Sequence, residues 1–226
     1  MTRWLGVDGS PGGWVGVLVE DGDLAAARAV QAPDLGRLLA ETGAELSVVD
    51  IPIGLPNPGE TRLCDQEGRN LLGDKYRSLF PVACREVLFA ESYEAANEIG
   101  RRLSKSGIST QLWGIAPKIR EVDALLKTLP PNILYEGHPE ISFKEMTGAP
   151  LMSRKDWLTG LFDRLHALEN QGFRPGGLMR DFAEKPMFKR DDLLDAAAMA
   201  WTASRIARGT ARSLPQRPDP FPAIWI

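Results

Sequence analysis

The sequence predicts a mixed α/β fold: one sheet, antiparallel on one side and parallel on the other, with helices on its faces. Three observations lead there. Apolar runs at Trp4–Val7, Trp14–Val19 and Leu24–Val30 follow one another through links too short for a crossover, which predicts an antiparallel meander. Strand-like runs beginning at Leu46 and Ile133 each follow a helical stretch, which predicts strands parallel to the first. Each of these three strands ends at a carboxylate, Asp8, Asp50 or Glu136.

The elements follow in order. "GSPGG" after Asp8 is a turn, and the Asp-Gly of "EDGD" is a hairpin signal. "PDLGRLLAET" places leucines at helical spacing behind a capping Asp34. "ELSVVD" is a short β-branched strand, and Pro52, Pro56 and Pro58 then forbid regular structure. From Thr61 to Leu129 the pattern is mainly helical. Its clearest helices are "SYEAANEIGRRL", capped by Ser92, and "PKIREVDALLKTL", with Pro117 in the first turn. After "NILYEGHPE", the run "SRKDWLTGLFDRLHALENQG" predicts a helix capped by Ser153 and stopped by Gly172. Residues 172–190 read as irregular, "RDDLLDAAAMAWTASRIARG" as a last helix, and the proline-rich tail as irregular up to its final "AIWI".

Composition excludes several classes. The 226 residues are 43% hydrophobic and 25% charged, enough for a sizeable core in one domain spanning residues 1–226. The long helical stretch at about 57–130 exceeds a simple crossover and is expected to be a helical cap insertion. No long apolar run predicts a membrane span, and no secretory segment precedes Trp4. Two distant cysteines, Cys64 and Cys84, form neither a disulfide framework nor a zinc cluster; reduced thiols in a cytoplasmic protein are the expectation. A net charge of −3 argues against a general nucleic-acid binder but leaves room for a local basic patch.

If the three strands are parallel neighbours, Asp8, Asp50 and Glu136 meet at the C-terminal sheet edge, where ligands of open α/β sheets bind. Grouped carboxylates repel and lose hydration, so they must carry protons or share cations; oxygen-only sets suit Mg2+ or Mn2+. Asp192 and Asp195, three apart at the start of the last helix, share a face and extend the set. Taken singly, each acid has an ordinary alternative: a helix-start residue for Asp192 and Asp195, a turn for Asp50, a surface strand position for Glu136.

"GVDGSPGGWVG", "VVDIPIGLP", "RLCDQEGRNLLG", "YEGHPEISF", "SRKDWLTGLFDRL" and "DDLLDAAAMAWTA" together resemble a family of unknown-function proteins described as predicted nucleases with an RNase H-like fold. The resemblance runs from Gly6 to about Thr202. It implies an RNase H-like sheet, three antiparallel strands then two parallel ones, and a C-terminal helix carrying the last acid. It further implies catalytic and metal-binding roles for Asp8, Asp50, Asp192 and Asp195. Glu136 fits the family's Glu-X-His-Pro-Glu motif and is the fifth catalytic candidate.

Arg62 and Arg69 in "RLCDQEGR" are candidate phosphate ligands, because a guanidinium grips phosphate bidentately; a plain Asp65–Arg69 helix pair is the alternative. Lys118 and Lys155 complete the candidate substrate contacts, with a solvated face the equal alternative for Lys155. His138 could exchange protons or be structural, and the role of Glu140 stays open. No P-loop, Gly-X-Gly-X-X-Gly, Gly-X-Ser-X-Gly or His-Glu-X-X-His motif is present. The leading expectation is two-metal hydrolysis of nucleic acid or a nucleotide-like phosphodiester by a magnesium- or manganese-dependent nuclease. Two rivals stand beside it: an actin-like nucleotide-binding phosphotransferase or ATPase, and a non-catalytic metal- or anion-binding module.

Overall fold

The computed structural model describes residues 1–182, 189–216 and 222–226. A single seven-stranded sheet forms its centre. The chain opens with β1 (Arg3–Ser10) and β2 (Gly13–Glu20), joined by the glycine-rich turn, and β3 (Arg28–Ala32) completes the antiparallel meander. Gly13 makes this turn at φ +135°, where a Cβ would lie 2.4 Å from the Ala32 carbonyl. The third strand is shorter than predicted. Asp23 accepts from the amides of Ala25 and Ala26 and winds Leu24–Ala26 into a 3-10 turn before pairing begins.

Asp34 then caps α1 (Leu35–Thr42), and β4 (Leu46–Val49) returns parallel to β1. The long connection holds α2 (Leu63–Leu72), α3 (Arg85–Leu88), α4 (Tyr93–Ser104) and α5 (Thr110–Leu125). Ser92 caps α4, as its sequence predicts. Pro117 lies inside α5 instead of at its start, because Ser109 supplies the cap. An internal proline costs a helix about 3 kcal/mol. Buried Leu112, Ala116, Ile119 and Val122 on both sides of it hold the helix regardless.

β5 (Leu134–Gly137) pairs parallel to β4 and runs into α6 (Pro139–Thr147). The next helix, α7 (Leu158–Asn170), begins later than Ser153, which caps nothing. Arg154 instead pairs with Asp156 in a turn that folds onto the helix start, where a Cβ on Gly160 would meet the Arg154 carbonyl at 1.9 Å. Within the stretch predicted as irregular lies α8 (Pro175–Phe182). The last helix is α9 (Arg190–Ala207); β6 (Ser213–Leu214) forms where the proline-rich tail begins, β7 (Ile224–Trp225) forms within the final "AIWI" exempted from the irregular tail, and residues 217–221 between them lie outside the described residues. "AIWI" folds back: β7 lies parallel to β5 and antiparallel to β6, giving the order β3-β2-β1-β4-β5-β7-β6.

Alternation along the strands divides the core. Leu5, Val7, Trp14 and Leu18 face α1 and α3–α5, while Cys64 and Leu72 of α2 pack in a separate cluster with Ile141 and Ile224. Val15, Val17, Val19 and Val48 face α7–α9. The α9 side needs Gly6: a Cβ there would sit 1.9 Å from the Ala200 nitrogen and 2.1 Å from the Ala196 carbonyl. Gly6 and the small residues of "AAAMA" bring α9 backbone to backbone onto β1, and the same alternation aims Asp8 at its N-terminal turn. No helix among the described residues is long and apolar enough to cross a membrane.

Candidate active site

Asp8 sits near the end of β1, and Asp50 immediately follows β4. Val7 pairs with Val49, and the Asp50 amide donates to the Val7 carbonyl at 3.0 Å, so the two acids stand side by side. α9 crosses this edge with Asp192 and Asp195 on its inward face, both buried. Asp8 is only 8% exposed, and its carboxylate accepts from the Gly9 amide at 2.6 Å. Asp195 Oδ1 is buried and has no hydrogen-bond partner among the described residues.

The electrostatics match the crowding. Burial, then repulsion from Asp50, Asp195 and Asp192, holds the Asp8 carboxyl well above the usual carboxylate range. Burial pushes Asp50 up to about 7 against the pull of Lys155, with Glu140 and Asp192 adding to the rise. Asp195 is raised to about 6 by burial, again against Lys155, with Asp50 pushing it further. Asp192 is raised by burial, with Asp191 adding to the rise and Lys155 opposing it.

Lys155 is the cation of this group. Its Nζ lies 3.1 Å from Asp195 Oδ2 and 3.2 Å from Asp191 Oδ2. Burial works against its charge, but Asp195, Asp191 and Asp8 outweigh that, and the ammonium titrates well above its ordinary value. Among the described residues, no group of three or more His, Cys, Asp or Glu side chains stands at metal-ligating spacing.

Glu136 and Arg62 do not take the roles expected of them. Arg62 donates through Nη1 and Nη2 to both Glu136 oxygens at 2.7 and 2.8 Å, and through Nη2 and Nε to Asp65 at 2.5 and 3.2 Å. Glu136 Oε2 also accepts from the Ile53 amide at 2.7 Å, and Asp65 Oδ2 from Val82. All three side chains are buried, so the triad pins α2 to β5, leaving neither a free guanidinium for phosphate nor a free carboxylate for catalysis. Arg69 likewise departs from its expected role: it donates to the carbonyls of Tyr76 and Leu79 and closes a local turn. Lys118 does reach the site. It donates to the Gly13 carbonyl at 2.6 Å, lies over the Trp14 ring and feels the Asp8 charge.

Two adjoining clefts expose Asp8, Asp50 and Asp195. A cavity of about 150 Å³ is lined by Asp8, Asp50, Lys118 and His138, with the triad at its back. A wider cleft of about 530 Å³ shares Asp50, Ser78 and His138 with it and adds Lys75, Arg154 and Lys155. His138 donates through Nε2 to the Ser78 carbonyl at 3.3 Å, and burial lowers its pKa, so at neutral pH the ring is uncharged with its lone pair at Nδ1. The residues that the sequence left unassigned are Glu140 and Arg164. Arg164 ion-pairs Glu140 beneath Asp195 and lowers the Asp195 pKa. An arginine buried inside "FDRLHAL" has no local signal; "SRKD" reads as a helix start and so disguises Lys155. Cys64 and Cys84 are buried, Cys64 with its thiol pushed up to about 12, as expected of inert cysteines.

A family model described as "Protein of unknown function (DUF429)" matches residues 6–220. No curated protein and no solved structure matches the chain.

Proposed function

The chain belongs to the DUF429 family of proteins of unknown function, and we propose that it is a divalent-metal-dependent phosphodiesterase with an RNase H-like core, acting on nucleic acid or a nucleotide-like phosphodiester. The observation that carries this reading is the meeting of Asp8, Asp50, Asp192 and Asp195 at one sheet edge with the buried Asp195 Oδ1 unpartnered among the described residues. The strand order β3-β2-β1-β4-β5, with α9 packed on β1, supports the RNase H-like classification.

The donor set suits a hard cation in its chemistry, being all oxygen and short of hydrogen bonds, and a bound ion would draw the carboxylates together from their wider spacing in the metal-free chain. Asp8, Asp50, Asp192 and Asp195 would hold Mg2+ or Mn2+, which would supply a water ionised near neutral pH and positive charge at the leaving oxygen. The chain's own residues do the rest. The Gly9 amide fixes the Asp8 carboxylate through Oδ1. Asp50, raised to about 7, would give up a proton when a cation arrives at or below neutral pH, so cation binding would weaken as pH falls. Lys155 and Lys118 line the clefts as positive charges for a phosphate. The smaller cavity lies below the ~300 Å³ of pockets that enclose a drug-sized ligand, which favours a phosphate group inside and the remainder of the substrate outside.

One observation favours a second reading. Lys155 already neutralises part of the cluster, as in a non-catalytic module whose acids serve structure. Hydrolysis of oligonucleotides and of bis(p-nitrophenyl) phosphate with Mg2+ or Mn2+ separates the two. The proposal expects turnover by the native chain and a loss of about 100-fold or more in Asp8→Asn and Asp195→Asn. Undiminished turnover in both variants overturns the site, and no turnover by the native chain favours the structural module.

A further inference from the structure

Beside the acids lies an apolar shelf that the hydrolytic chemistry does not use. Trp157, Leu158 and Phe162 are 59%, 67% and 59% exposed, large apolar side chains close together in the chain and in water. Leu158, Leu161 and Phe162 share one face of α7. Trp157, Leu158 and Leu161 line one wall of a groove of about 540 Å³, and the exposed Lys189 and Arg190 stand on another. The groove shares Lys155, Asp156 and Asp191 with the acidic cleft, so the two adjoin along these side chains.

We propose that this shelf binds the unpaired bases of a single-stranded nucleic acid and feeds its backbone to the acid cluster. The proposal rests on the phosphodiesterase reading and names its substrate class. Chemistry selects this occupant over a protein. The Arg154 guanidinium lies 5.7 Å from the Trp157 ring centre, and most of that residue's surface stays in water, forming a cation-backed stacking platform. Lys189 and Arg190 put positive charge beside it in a chain of net charge −3, matching a phosphate backbone. A duplex keeps its base faces stacked on one another and cannot present them to Trp157. A separated strand can lay a base on the indole while a neighbouring phosphate reaches Lys155.

Fluorescence anisotropy with a fluorescein-labelled twelve-nucleotide oligothymidylate, the matching oligouridylate and a duplex of equal length tests this. EDTA is present throughout, so binding is read without cleavage. The native chain should prefer either single strand to the duplex, and Trp157→Ala should weaken single-strand binding about tenfold. Lys189→Ala with Arg190→Ala should flatten the slope of log affinity against log salt by about 1.4, two phosphates' worth. Unchanged affinity in Trp157→Ala, or equal binding of duplex, overturns the shelf. If Trp157→Ala instead dissociates a dimer of the native chain, the shelf is an interface between copies and the proposal fails. Hydrolysis is scored separately with Mg2+. Shelf binding without hydrolysis overturns only the phosphodiesterase reading; hydrolysis with Trp157→Ala binding normally overturns only the shelf.

Discussion

Lys155 Nζ lies 3.1 Å from Asp195 Oδ2, so a lysine from the turn before α7 supplies the positive charge that the acids of β1, β4 and α9 lack. Breaking a fully buried pair costs about 3–5 kcal/mol, but the Lys155 side chain is 46% exposed, and water screens part of the loss. Lys155→Met should therefore destabilise the metal-free chain by about 1–2 kcal/mol at pH 7.5. Mg2+ should raise the melting temperature of the variant more than that of the native chain, because the ammonium no longer competes for the same carboxylates. Equal shifts would sever the link between Lys155 and the cation site.

The acids also set a pH dependence. Asp50 and Asp195 titrate at about 7 and about 6 in the folded chain, against about 3.9 for a free aspartate. Between those limits the folded chain holds more protons than the unfolded one, so stability falls as pH rises. Their contribution is complete below about pH 4 and lost by about pH 7. Thermal melts in EDTA should accordingly place Asp50→Asn above the native chain at pH 7.5, by about 1–3 kcal/mol, with the gap closing towards pH 4. Parallel melting curves across that range would contradict the raised Asp50.

The Arg62 triad predicts an asymmetric cost. Arg62→Met leaves Glu136 and Asp65 buried and unpaired, and denaturant unfolding should record a loss of about 3–5 kcal/mol. Arg62→Lys should not restore it, since an ammonium cannot bridge two carboxylates with the guanidinium fork. Full stability in either variant would remove the triad from the account.

Gly6→Ala tests the contact that brings the acids together. Its Cβ would lie 1.9 Å from the Ala200 nitrogen, a backbone atom that cannot swing aside. Lifting α9 should cost about 3 kcal/mol and carry Asp192 and Asp195 away from Asp8, so Mg2+ stabilisation should vanish with it. A Gly6→Ala chain that keeps native stability would mean that α9 tolerates a wider spacing.

The meander and the two acids at its edge were legible because their causes are local: alternation, a glycine turn, and carboxylates beside β-branched runs. The 192–195 spacing on α9 was legible for the same reason. What escaped is non-local. Arg62 reads as a free cation because Glu136, its partner, lies far along the chain, and only the β4–β5 pairing brings it near. Lys155 sits behind a serine that imitates a helix cap, so its reach to Asp195 was hidden by a plausible local pattern. β6 and β7 are too short for periodicity; the open edge of β5 selects β7, and β7 in turn pairs β6.

Asp8, Asp50 and the α9 acids are proposed to bind a divalent cation. Anomalous diffraction from a manganese-soaked crystal tests this most directly. A peak is expected between Asp8, Asp50 and Asp195, with Lys155 Nζ moved away from the Asp195 carboxylate. A crystal soaked at millimolar manganese with no peak there, and Lys155 still bound to Asp195, would contradict this binding.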